Sequence, residues 1–279
     1  MPSTLPNTLL IAAALAIACA LLSIVVVLCR WSFIGEGISH SGFGGAGTAW
    51  LLMLLIPALD KPWVPYLSVV IFGLLTAIAI GALSRSRGMQ ADAAIGIFLV
   101  ASLAWGFLCQ QIFVQVRHAT PTLFDALLFG RMIGFSRPAA LAGIMVCLAV
   151  SAIVIGLWNH ILAFSFDPLL AASSGIRAGA IHYLLMLLIA TVIVVGSRLI
   201  GSVLVTALLI LPAATALRLS GKLWNVVLLS IAVALIGTLG GVLIYSQWNL
   251  VPPGPAVVLI LFILFLISLG YSSLRPKTT

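Results

Sequence analysis

The residues best placed to do chemistry are Glu36 and His40, in the stretch Trp31 to Gly47, WSFIGEGISHSGFGGAG. They are four residues apart, so on a helix both project from one face. An imidazole nitrogen and a carboxylate oxygen at one helical turn form a half-site for a divalent metal. Zinc accepts that set, and so do manganese and iron(II). No thiolate lies nearby, which argues against a site built for copper(I). If a helix begins at Trp31 and rises 1.5 Å per residue, Glu36 lies about 9 Å and His40 about 15 Å from Arg30. A hydrocarbon core is about 30 Å thick, so His40 falls near its midplane. Ser39 and Ser41 flank His40 and are candidates for supporting hydrogen bonds. Gly42, Gly44, Gly45 and Gly47 follow. Small residues let helices approach closely, and Gly44 and Gly45 are candidates for a pathway lining or hinge. The pair also reads as a mutually satisfied polar contact tying two helices together, and from the pair alone the two readings weigh equally. Ionisable residues inside a membrane are functional candidates by default.

The surrounding chain must hold such a pair in a membrane. It is 279 residues long, 63% hydrophobic and 6% charged, with a mean hydropathy of +1.31. A soluble domain is about 25% charged, so this is an integral membrane protein with no room for a sizeable soluble domain. The net charge of +8 does not point to nucleic acid, because the basic residues stand singly between apolar runs and form no patch with interleaved aromatics. Cys19, Cys29, Cys109 and Cys147 all lie within apolar runs. With no Cys-x-x-Cys pair they suggest neither a disulfide framework nor a zinc knuckle. The N-terminus lacks a basic segment before its apolar run, so it reads as a retained helix, not a cleaved signal.

Apolar runs predict spans over 8–29, 31–56, 64–84, 91–114, 138–159, 180–197, 199–217, 223–246 and 255–272. The fold class is all-α: a polytopic membrane protein of eight or nine transmembrane helices in one domain covering 1–279. Only Gly196-Ser197-Arg198 and Gly201-Ser202 separate the sixth and seventh runs, so one is expected to be broken or re-entrant. With nine crossings, Arg30, Arg85, Arg87, Arg177, Arg218, Lys222, Arg275 and Lys277 fall on one side. Lys61, Arg117, Arg131, Arg137 and Arg198 fall on the other. The richer side is cytoplasmic by the positive-inside rule. That places the N-terminus outside, the C-terminus inside, and 84–91 and 160–178 in the cytoplasm. The outer segment 115–137 is expected to carry a short interfacial helix over 122–130, with Asp125 and Arg131 facing water.

Other residues have narrower readings. Asp167-Pro168 is a helix-start signal, with Asp as N-cap and Pro at the first helical position, and Gly175 suits a helix stop. Pro212, inside LVTALLILPAATA, removes a backbone hydrogen bond. It reads as a hinge or pathway lining with Thr206 and Thr215 as polar partners, or equally as a kinked packing helix. Asp92 reads as an N-cap of the fourth span. Asp60, Asp125, His118, His160 and His182 read as solvated or interfacial, with His118 and Asp125 candidates for guiding a metal inward. The chain has no phosphate loop, no His-Glu-x-x-His and no Gly-x-Ser-x-Gly. It is not expected to be an enzyme, and any ATP hydrolysis must occur in a partner.

Several stretches together resemble the metal-type permease family of ATP-binding-cassette importers, which carry zinc, manganese or iron(II) into bacteria. Residues 30–40, RWSFIGEGISH, are similar to that family's R-x-S-x-x-G-D-A-x-S-H. Residues 92–97 are similar to D-x-A-I-G-I. SFDPLLA at 165–171 with Gly175-Ile176 is similar to S-F-D-P-x-x-A…G-I. GSVLVTALLILPAATA at 201–216 matches a further family segment, and Pro253-Gly254-Pro255 matches another more loosely. The resemblance implies a homodimeric inner-membrane permease working by alternating access with cytoplasmic ATP-binding subunits and an extracytoplasmic metal-binding protein. It implies transient metal ligands at Glu36 and His40 and no permanently bound cofactor. It also implies an ATPase-coupling segment containing Phe166, Asp167, Pro168 and Gly175. Here the family's aspartate is Glu36 and its following alanine is Gly37, which leaves the metal's identity open. Two rivals remain. A gradient-driven secondary metal transporter has too few buried carboxylates in its favour, and an intramembrane metalloenzyme needs a third ligand.

Overall fold

The structure is a computed structural model that describes residues 5–85, 89–118, 137–247 and 253–274. Among these residues it contains eleven α-helices, one 3-10 turn and no strand. The helices are α1 (Leu5–Leu28), α2 (Ile34–Leu55), α3 (Val64–Ser84), α4 (Ala91–Arg117), α5 (Arg137–Gly156), α6 (Trp158–Phe166), α7 (Pro168–Ser173), α8 (Ala178–Ile200), α9 (Ser202–Leu219), α10 (Leu223–Gln247) and α11 (Pro253–Leu274). The 3-10 turn is Pro57–Leu59. Eight helices are long and apolar enough to cross a membrane: α1, α3, α4, α5, α8, α9, α10 and α11. At 22 residues, α2 is also long enough, about 33 Å, but its glycines, serines, Glu36 and His40 make it too polar for that group.

The joints between helices follow from single residues. After α1, Arg30 adopts a left-handed conformation with φ 58. The Trp31 N–H reaches back to the Val26 carbonyl at 2.9 Å, and the Arg30 N–H to Val27 at 3.2 Å. This is the double hydrogen bond of a Schellman stop. The predicted fifth span ends earlier than expected. The helix stops at Gly156, and α6 starts at Trp158, with only Leu157 between them. The uncertain pair of runs resolves into two helices of 23 and 18 residues, parted at Gly201, whose φ is 93. A positive φ is open to glycine without a Cβ clash, so one residue suffices for the break. The fourth helix is capped at Gln90, not Asp92. Asp92 lies in its first turn, where its charge favours the positive end of the helix dipole. The segment expected to be helical at 122–130, with Asp125 and Arg131, lies outside the described residues. The four cysteines are free thiols.

The chain groups into two compact units. One comprises residues 1–32, 131–178 and 203–279. In it α1 packs against α5, α6 and α10, and α10 packs against α11. Leu15, Ala16, Ala18, Cys19 and Leu22 of α1 have no exposed surface. Gly237 and Gly241 of α10 give up their side-chain space to Leu261 and Val257 of α11. The other unit comprises residues 33–130 and 179–202. There α2 packs against α3 and α4. Phe43, Ala46, Trp50 and Met53 of α2 form a buried cluster with Val69 of α3 and Val194 of α8, and Leu103 and Phe113 pack against it.

Candidate functional site

The site is built on α2, and glycine sets how closely that helix is held. A Cβ at Gly37 would lie 2.6 Å from the Ile95 side chain. One at Gly44 would lie 2.7 Å from Phe72, and one at Gly45 would lie 2.8 Å from the Val69 Cα. A Cβ at Gly47 would lie 2.8 Å from the Gly106 Cα. The backbones of α3 and α4 therefore press directly on α2. Two hydrogen bonds reinforce these contacts. The Ser68 hydroxyl donates to the Gly45 carbonyl at 2.7 Å. The Trp105 indole donates to the Thr48 hydroxyl at 2.9 Å, which in turn donates to the Gly44 carbonyl at 2.7 Å. The helix runs unbroken through Gly44 and Gly45.

This packing leaves few residues of the first half of α2 partly open. Between Ile34 and Trp50, only Glu36, His40 and Thr48 are not fully buried. Glu36 and His40, one turn apart, share a face, whereas Gly44 is buried against Phe72 and Thr48 meets Trp105 of α4. The Glu36 and His40 side chains are 35% and 21% exposed, and Glu36 Oε2 lies 3.3 Å from His40 Nε2. The imidazole meets Phe43 edge-on, with centroids 5.6 Å apart. Phe43 stacks on Phe107 at 6.3 Å. Two aromatic rings thus back the histidine and limit its rotation. His40 Nδ1 is buried with no hydrogen-bond partner. The pair presents one nitrogen and one carboxylate toward a common point.

The flanking serines do not support His40. Ser41 donates to its own backbone at Ile38, 2.6 Å away, and the Ser39 hydroxyl is buried without a partner. Neighbours at i±1 on a helix point about 100° away from the histidine, so they do not share its face. Among the described residues, no three His, Cys, Asp or Glu side chains converge. The pair offers two candidate donors, not a closed site.

The other expected residues fall in separate places. Asp167 caps α7, accepting from the Leu169 and Leu170 N–H groups at 2.8 and 3.1 Å, with Pro168 in the first turn. Gly175, at φ 83, ends it with a second Schellman stop, formed by its own N–H to Ala172 and the Ile176 N–H to Ala171. Phe166, Leu169 and Leu170 are 67%, 82% and 66% exposed. Pro212 lies inside the continuous α9 and leaves the Leu208 carbonyl without its helical donor. Thr215 is buried with its hydroxyl unpartnered. His160 is exposed. His118 ends α4 in a left-handed conformation, and Asp60 pairs with Arg117 at 2.8 Å. His182 departs from expectation. It is 6% exposed, and its Nε2 donates to the Gly81 carbonyl at 3.1 Å, because Gly81 on α3 lets α8 close over it. Gly106 and the Trp105–Thr48 contact were not singled out from sequence. A glycine on each of two helices was the only available signal.

The ABC 3 transport family matches residues 1–272. The manganese import system permease protein ScaB of Streptococcus parasanguinis is 31% identical, with 95% of this chain and 89% of that protein aligned. The high-affinity zinc uptake system membrane protein ZnuB of Haemophilus influenzae is 28% identical over 91% of this chain and 92% of its own length. Among solved structures, PsaBC from Streptococcus pneumoniae in complex with Fab superposes with a TM-score of 0.76. It is 30% identical and covers 94% of this chain and 90% of that one.

Proposed function

Because the chain belongs to the ABC 3 transport family, we propose that it is the membrane-spanning permease subunit of an ATP-driven importer for manganese or zinc. Its setting is the bacterial inner membrane. The observation that carries this reading is the Glu36–His40 pair, partly exposed in the first half of α2, where the residues around it are buried. A charged side chain facing lipid at mid-membrane costs about 2.5–3.5 kcal/mol on insertion scales. Such a pair therefore belongs against a polar pathway. In a two-fold dimer, a second copy supplies the opposite wall, and two pairs give an ion four ligands. A resident catalytic zinc needs three protein ligands from the start, whereas two suit an ion that passes through.

Gly44 and Gly45 hold this wall against α3 and α4, and Pro212 acts as a hinge in α9. Replacing Pro212 with alanine restores the missing backbone donor. Uptake then slows while the melting temperature holds or rises. An unchanged rate removes the hinge assignment.

ATP hydrolysis belongs to cytoplasmic partner subunits, and an extracytoplasmic protein delivers the metal. The exposed Phe166, Leu169 and Leu170 on the capped α7 give those ATPases an apolar knob to grip. A helix of six residues is too short to hold itself together, so its cap matters. Asp167→Ala costs about 1 kcal/mol of local stability, and the variant binds the ATPase subunits roughly fivefold more weakly in a titration.

The reading as a whole is tested by reconstitution with the partner ATPases and binding protein. Manganese or zinc accumulates in vesicles only with hydrolysable ATP. Accumulation that persists with an inactivated ATPase assigns the chain to gradient-driven transport instead.

A further inference from the structure

We propose that Trp31 is a positioning residue that carries movement of the ATPase-gripping segment to the metal pair. The proposal rests on the functional reading above. The turn 29–31 after α1 is clamped to α6. Trp31 is 6% exposed and Phe164 is 5% exposed, with ring centroids 6.4 Å apart and planes tilted by 52°. One residue along on α6, the Ser165 side chain lies beside the Cys29 thiol. Ser165 also donates to the Ile161 carbonyl at 2.7 Å, within its own helix.

Each partner in this clamp is a short distance from a functional feature. Phe164 and Ser165 immediately precede Phe166, where the chain turns outward, and Asp167, which starts α7. Trp31 stands three residues before α2 begins at Ile34, and five before Glu36.

The turn is also stiff. Arg30 occupies the left-handed region at φ 58, a small well for a residue with a Cβ. Its geometry is fixed by two backbone hydrogen bonds to Val26 and Val27. A stiff turn buried against α6 follows that helix, and the start of α2 is covalently tied to the turn. Displacement of α7 by an ATPase is therefore carried to Trp31 through Phe164, and from Trp31 along the chain to Glu36.

The test is the ratio of metal transported to ATP hydrolysed in the reconstituted complex, for wild type, Trp31→Ala, Trp31→Phe and Leu169→Asp. A merely structural role changes the amount of active protein and leaves that ratio alone. Trp31→Ala should lower the ratio about tenfold with hydrolysis retained, and Trp31→Phe, which keeps an aromatic ring on Phe164, should restore it. As a second measurement, Ser165→Cys is oxidised against Cys29. Since the two segments move as one body, the cross-link should leave transport per ATP unchanged.

Uptake that is normal in Trp31→Ala while Leu169→Asp abolishes it overturns the relay and leaves the importer reading intact. A cross-link that stops uptake until it is reduced also overturns the relay. A wild-type complex that moves no metal with ATP overturns the importer reading, and the relay with it.

Discussion

Replacing His40 with alanine abolishes metal uptake at equal membrane expression, a loss of at least about 100-fold. Loss of a residue that only supports a metal ligand already costs 10–100-fold in affinity, and His40 is one of the two proposed ligands. The more discriminating variant is Glu36→Gln. The amide is nearly isosteric, and its oxygen still accepts a hydrogen bond from His40 Nε2, 3.3 Å away in the native pair. A pair that merely ties helices together tolerates the exchange. A pair that binds a dication does not, because the charge is gone. Glu36→Gln therefore transports as poorly as His40→Ala, while both proteins melt close to wild type. Normal uptake in Glu36→Gln makes the pair structural.

The second large effect is on folding. A Cβ at Gly106 would lie 2.5 Å from the Phe43 carbonyl oxygen and 2.6 Å from its carbon. Both are backbone atoms and cannot swing aside, so α2 and α4 must separate. Overpacking of this kind costs about 1–3 kcal/mol for small additions and more for larger ones. Gly106→Val is expected to show a large drop in melting temperature in detergent and poor yield of folded protein. Gly96 on the same helix is the control, because nothing lies within 4 Å of its Cβ position. Gly96→Ala gains helix propensity of up to about 1 kcal/mol and melts at or above the wild-type temperature. Equal effects at the two positions contradict the close contact.

The contrast between those glycines shows what the sequence discloses. The apolar runs of α1, α3, α4, α10 and α11 announce membrane helices by length and hydropathy, and Asp167-Pro168 and Gly175 mark both ends of α7 because each serves a specific backbone geometry. Glu36 and His40 stand out because charge inside an apolar run is rare. Gly47 and Gly106 also appear in the sequence, but nothing local says that each faces the other. The same limit applies to His182, which looks interfacial until Gly81 is seen to let α8 close over it. It applies to Gly201 too. Helices covered by lipid or protein on all sides carry little 3.6-residue periodicity, so a one-residue break inside a continuous apolar run leaves only a glycine to mark it. The serines beside His40 fail to support it for a simpler reason, since adjacency in sequence is not adjacency on a helix face.

The most direct test of the central claim is metal content by elemental mass spectrometry. The cells express this chain with the proposed ATPase and binding-protein partners, and wild type is compared with Glu36→Gln and His40→Ala at equal membrane levels. Manganese or zinc rises in wild-type cells, and both variants abolish the rise. A rise that survives in either variant contradicts the assignment of Glu36 and His40 as the transport site.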